Sequence, residues 1–163
     1  MTLPILNNYI FLDIDDVLVT TRQHHSKKLH YKYMTCPFDK RCVKVLNEII
    51  KETSPIIILS SDWRTQFKLE ALNEIFYDNG VKSNITDFTP VLMGIKFNNR
   101  SELQICRATE ILKYVEEHQI TNWVAIDDWD LKTWIPNNFV RCTSSFEGIK
   151  QCDVKNKILK ILI

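Results

Sequence analysis

Three short apolar runs, each ending in acidic or hydroxyl side chains, constrain this chain more than any other feature. Tyr9–Leu12 runs into Asp13-Ile14-Asp15-Asp16. Pro55–Leu59 runs into Ser60-Ser61-Asp62-Trp63-Arg64, and Trp123–Ile126 into Asp127-Asp128-Trp129-Asp130. Apolar, β-branched runs without polar alternation are the pattern of strands covered on both faces, as in a parallel sheet. The segments between them carry a helical period instead. Phe38–Thr53 places Phe38, Cys42, Val45, Leu46, Ile49 and Ile50 on one face. Thr65–Asp78 predicts a second helix, ended by Asn79-Gly80. Ser101–His118 predicts a third, capped by Ser101, with Ala108, Ile111, Leu112 and Val115 facing inward. Val154–Ile163 predicts the last. Phe139–Cys142 is expected as an edge strand, and the weakly patterned residues 84–99 as a short hairpin. Alternating strands and helices predict a three-layer α/β sandwich, a parallel sheet with helices on both faces.

The 163 residues suit a single domain, expected to span 1–163, with residues 19–37 as a flap or small cap segment. The formal net charge of +1 gives no global pull toward nucleic acid or any other polyanion. No apolar run is long enough to cross a membrane, and Met1–Asn8 lacks the pattern of a secretion signal. The five cysteines are scattered and form no Cys-x-x-Cys pair, which predicts reduced thiols and a cytoplasmic location.

In an open parallel sheet, ligands bind at the carboxyl ends of strands near a switch in strand order. Folding would bring the three reactive tips side by side there: a carboxylate cluster, a hydroxyl pair and a nearby cation. Packed carboxylates repel one another, and a hard divalent cation with oxygen preference, such as magnesium, relieves this. A carboxylate so placed can attack phosphorus. A second one, two residues on, can protonate the leaving oxygen and then activate water.

These residues carry a resemblance. Phe11-Leu12-Asp13-Ile14-Asp15-Asp16-Val17-Leu18 resembles the first motif of the haloacid dehalogenase (HAD) superfamily. Ile56–Ser60 resembles its second motif and Ala125–Asp128 its fourth. Leu-Ser-Ser-x-Trp-Arg, followed by Thr89-Pro90 and by Arg107-x-x-Glu110-Ile111, is similar to small members related to RNA-repair phosphatase domains. The resemblance implies a Rossmann-like, HAD-like fold without a large cap and a magnesium-dependent phosphomonoesterase. Asp13 would be nucleophile and metal ligand. Asp15 would be general acid/base, with its backbone carbonyl on the metal, and Ser60 would bind the phosphoryl group. Asp127 and Asp128 would hold magnesium. Arg107 is the preferred third-motif cation and Arg100 the alternative; Ser61, Arg64 and Arg100 are candidate substrate contacts. Asp16 stands where many members have Gly.

Other readings compete for the same residues. Ser60, Ser61 and Asp62 also suit a helix cap, and Arg64 an exposed first turn. Trp63, Trp129 and Trp134 are expected mainly to pack. Residues 21–33, rich in Lys, His and Tyr, suit either a solvated flap or a polyanion contact. The expected substrate is a phosphorylated small molecule, nucleotide or nucleic-acid end. The alternatives are a non-catalytic phosphoryl-binding module, a receiver-like signalling domain and a metal-dependent nuclease. A receiver places its phosphorylated aspartate after a middle strand, where this chain has serine.

Overall fold

The computed structural model describes residues 6–92 and 98–163. Five parallel strands form one sheet: β1 (Tyr9–Leu12), β2 (Ile56–Leu59), β3 (Ile85–Phe88), β4 (Trp123–Asp127) and β5 (Phe139–Arg141), in the order β3-β2-β1-β4-β5. The chain builds outward from β1 to β3, then crosses back to start β4 on the other side of β1. That reversal is the switch point. Register aligns the tips: Leu12 pairs with Leu59 on one side and with Ile126 on the other. The residues that follow, Asp13, Ser60 and Asp127, therefore stand in a row. The ladder runs on into them, since Asp13 N–H donates to Ile126 O at 3.0 Å and Ser60 N–H to Leu12 O at 2.9 Å.

Among the described residues a single turn, α1 (Thr21–His24), follows the β1 tip, and four helices flank the sheet: α2 (Lys40–Thr53), α3 (Leu69–Asp78), α4 (Arg100–Glu117) and α5 (Val154–Leu162). Strand side chains alternate between two cores. Ile10, Leu12, Ile57 and Leu59 pack with Leu46 of α2, Leu72 of α3 and Ile158 of α5. Phe11, Ile58 and Ala125 face Ala108 and Ile111 of α4, together with Leu131 and Ile135. Both faces are covered, which is why the strands read as unbroken apolar runs and why the molecule is a three-layer sandwich.

Several boundaries differ from the expected ones. α2 starts at Lys40, where Asp39 accepts from Arg41 N–H at 2.8 Å. The expected helix Thr65–Asp78 is two pieces, a 3-10 turn at Asp62–Thr65 and then α3, because Trp63 and Arg64 turn inward and are buried. α3 does end at Asn79, and Gly80 follows at φ +85°, the left-handed geometry a terminating glycine supplies. Within 84–99, Ile85–Phe88 is a parallel edge strand; the remaining stretch of the expected hairpin includes 93–97, outside the described residues. The cap of α4 is Asn99, which accepts from Glu102 N–H at 3.0 Å, while the Glu102 carboxylate accepts from Asn98 N–H at 2.6 Å.

Residues 19–37 are latched to α3. His30 contacts Asp78 at 3.0 Å, while Lys32 and the Tyr33 hydroxyl both donate to Glu74, at 2.8 and 2.5 Å. Among the described residues no helix is long and apolar enough to cross a membrane.

Candidate active site

The tip of β1 is a tight loop. Val17, Leu18 and Val19 each donate a backbone N–H to Ile14 O, and Asp16 sits at φ +56°. Aspartate tolerates that left-handed conformation better than a branched side chain, so a residue other than glycine can stand there. A second loop clamps this one: Ile149 N–H donates to Val17 O at 3.0 Å. The approach is close enough that a Cβ on Gly148, itself at φ +54°, would lie 2.4 Å from Val17 O.

Asp13 and Asp127 emerge side by side and buried. Between them lies Arg107 from α4. Its Nη1 donates to Asp127 Oδ2 at 2.8 Å and stands 3.5 Å from Asp13 Oδ1; Nη2 donates to Asp62 Oδ1 at 3.0 Å. The guanidinium also lies over the Trp129 ring, 4.6 Å from its centroid. Asp127 is held by a second bond, since its Oδ1 accepts from Trp129 N–H at 2.9 Å. Asp13, Asp127 and Asp128 each offer a carboxylate oxygen within 4.8 Å of the others.

The tip of β2 supplies hydroxyls. Ser60 is 1% exposed and its Oγ has no hydrogen-bond partner. A buried hydroxyl without a partner is costly unless a ligand completes it. Ser61 Oγ caps the 3-10 turn by accepting from Trp63 N–H. Trp63 then folds back, and its indole N–H donates to Asp15 Oδ2 at 2.8 Å. A cavity of about 120 Å³ is lined by Asp13, Asp15, Asp16, Asp62, Arg107, Asp128 and Trp129. A larger hollow of about 700 Å³ beside Tyr77–Asn84 gathers no comparable cluster.

Charge in this cavity is unbalanced. Burial pushes Asp13 well above its ordinary pKa, reinforced by Asp127 and opposed by Arg107. Burial also raises Asp127 against the pull of Arg107. Asp128 is pushed up to about 7 by burial, then by Asp127 and Asp16. Asp15 is raised by burial, with the Trp63 hydrogen bond working the other way. One arginine faces more carboxylates than it can neutralise. An all-oxygen set of this density suits a hard divalent cation.

Residues 9–154 match the family described as the HAD domain in Swiss Army Knife RNA repair proteins. The chain belongs to that family. No curated protein and no solved structure matches it. For a HAD domain of this kind the family points to phosphatase-type chemistry, and the aspartates of the cluster stand at the tips of β1 and β4.

The remaining sequence candidates lie elsewhere in this HAD domain. Arg100 is exposed at the start of α4, seven residues before Arg107 and so about 10 Å along the helix. Arg64 is neither exposed nor free. It donates to Thr89 O at 3.2 Å and Ser61 O at 2.8 Å, and pairs with buried Glu110. Glu110 in turn accepts from Leu92 N–H at 3.0 Å. These partners replace the substrate contact expected of Arg64 with a structural clasp. Two contacts escaped the sequence reading, Asp62 on Arg107 and Trp63 on Asp15. Both depend on the 3-10 turn, which has no periodic signature; the Arg107-x-x-Glu110 spacing was the only hint that Arg64 has a buried partner.

Proposed function

We propose that this HAD domain is a magnesium-dependent phosphomonoesterase that forms a phosphoryl-aspartate on Asp13. The observation that carries the reading is the buried Asp13 beside Arg107, inside a carboxylate set that a divalent cation would complete. Asp13, Asp127, Asp128 and the Asp15 backbone carbonyl are the groups to hold the ion. Bound there, magnesium supplies the positive charge that keeps the carboxylates ionised and offsets their repulsion of a phosphate dianion.

The protein's own groups divide the work. Asp13 attacks phosphorus, the bond to the ester oxygen breaks, and Asp15 gives its proton to that leaving oxygen. Asp15, now ionised, takes a proton from water as the water attacks the phosphoryl-aspartate. Inorganic phosphate leaves and Asp13 is restored. Arg107 and the unpartnered Ser60 hydroxyl stabilise the phosphoryl oxygens in transit.

A nucleotide or nucleic-acid end is the proposed substrate class. The family's description supports it, as do the exposed Arg22, His25, Lys27 and Lys28 on the segment that carries His24 to within 3.4 Å of Asp16. Five free cysteines support a cytoplasmic setting.

The test is phosphate release from a generic aryl phosphate, with and without magnesium, in the native chain, Asp13→Asn and Asp15→Asn. Magnesium-dependent turnover lost in Asp13→Asn is the expected result. Turnover that survives Asp13→Asn would overturn the mechanism. Tight magnesium binding without turnover would leave a phosphoryl-binding module.

A further inference from the structure

Trp63, in the Leu-Ser-Ser-x-Trp-Arg run, has no step in the proposed mechanism, yet it contacts a carboxylate that does. It is 8% exposed and packs between Phe38 and Phe67, with ring centroids 6.1 and 6.0 Å away. Packing alone would place its N–H against any nearby carbonyl. Here the 3-10 turn Asp62–Thr65 swings the indole across to the β1 tip, and Nε1–H donates to Asp15 Oδ2 at 2.8 Å.

The chemistry of that bond is one-sided. Indole N–H is a donor only. The Asp15 oxygen that accepts it is the poor place for a proton, because a hydroxyl there would meet the N–H head-on. The other oxygen, Oδ1, faces His24 Nε2 at 3.9 Å, and the residue lines the same cavity as Asp13 and Arg107. A carboxyl group otherwise turns freely about its last side-chain bond. The indole, itself wedged between two rings, stops that rotation.

We propose that Trp63 is a positioning residue: it locks the Asp15 carboxyl group and directs the transferable proton to Oδ1, the oxygen that serves the leaving group. The proposal rests on the phosphatase reading above. Its balance is that of the first step alone. The Oδ1–H bond breaks as a new O–H bond forms on the departing oxygen, and the phosphorus–oxygen ester bond breaks as Asp13 bonds to phosphorus. Trp63 gains and loses no proton.

A proton donor matters in proportion to how badly the leaving group needs one. The test therefore compares kcat/KM on two esters, an alkyl phosphate and 2,4-dinitrophenyl phosphate, whose leaving group departs as a stable anion. kcat/KM reports steps through the first ester cleavage, so the later water step does not enter. General acid catalysis is worth about 10²–10⁴-fold. Trp63→Phe should lose on the order of 10- to 100-fold on the alkyl ester and change on the order of threefold or less on the activated one. The ratio of the two is independent of how much of the variant is folded. A second variant guards the packing: β-(3-benzothienyl)alanine at position 63 keeps the bicyclic shape, puts sulfur where the N–H was, and should shift the ratio the same way. In an Asp15→Asn background neither change at position 63 should move the ratio further.

Equal losses on both esters, or an unchanged ratio in the benzothienyl variant, would reduce Trp63 to a packing residue and overturn the proposal while leaving the phosphatase intact. A native chain inactive on both esters would sink the phosphatase reading, and the proposal with it.

Discussion

Arg64 and Arg107 are both deeply buried, at 8% and 4% exposure, and both reach toward Asp62. Their surroundings are nevertheless opposite. Arg64 meets one buried carboxylate, Glu110, with the exposed Asp62 no nearer than 4.0 Å, and spends its other donors on the carbonyls of Ser61, Thr89 and Pro90. Charge is balanced and four of the five guanidinium N–H groups are bonded, so this region ties the β2 tip, the segment after β3 and α4 together. Arg107 meets Asp13, Asp62 and Asp127, with Asp128 close by. There charge is in deficit, and the carboxyl groups answer by holding on to protons. A balanced buried pair is finished structure; an unbalanced one is a place built for something to arrive.

The largest expected effect breaks the unbalanced region. Asp13→Asn should lower phosphate release on the order of 10⁶-fold, as loss of a nucleophile does. The same change should leave the metal-free fold intact or firmer in urea unfolding, because it removes one of several repelling charges. Next comes the balanced region. Glu110→Gln strands a buried guanidinium and should cost about 3–5 kcal/mol in the same urea experiment. Replacing both partners, with Arg64→Met and Glu110→Leu, should cost less than the single change, because no buried charge is left behind. A double variant less stable than the single would show that the backbone contacts of Arg64, rather than its charge pairing, hold the region.

The smallest effect concerns pH. The raised carboxyl groups keep protons in the folded chain where the unfolded chain, titrating near 3.8, has already lost them. The folded state then binds more protons, so metal-free stability falls as pH rises between 3.8 and the raised values, about 7 for Asp128. Melting of the metal-free chain should drop by on the order of a few degrees from about pH 5.5 to 7.5, a window in which ordinary carboxylates no longer titrate. Saturating magnesium should reverse the slope. A flat metal-free profile would mean that Arg107 suffices and the deficit is not real.

How much of this was legible in the sequence follows from what each residue is surrounded by. β1, β2 and β4 are covered on both faces and announce themselves as apolar runs. β3 lies at the sheet edge with Thr86 and Asp87 exposed, so its pattern dissolves. The row Asp13, Ser60 and Asp127 was readable because strand ends in a parallel sheet share a level. Arg64 and Arg107 look alike in one dimension. Only the 3-10 turn, which aims Asp62 and Trp63 back at the site while burying Arg64, separates them, and a single tight turn leaves no period to detect.

The clamp on the β1 loop has a consequence for anyone scanning this gene by saturation mutagenesis. Gly148 does not line the cavity and carries no side chain, yet at φ +54° with Val17 O 2.4 Å from its absent Cβ it should tolerate almost nothing else. Every replacement would push on the loop that bears Asp13, Asp15 and Asp16. In a fitness map scored on turnover, Gly148 should show the same intolerance as the aspartates, and a reader of that map alone would take it for a member of the reacting set.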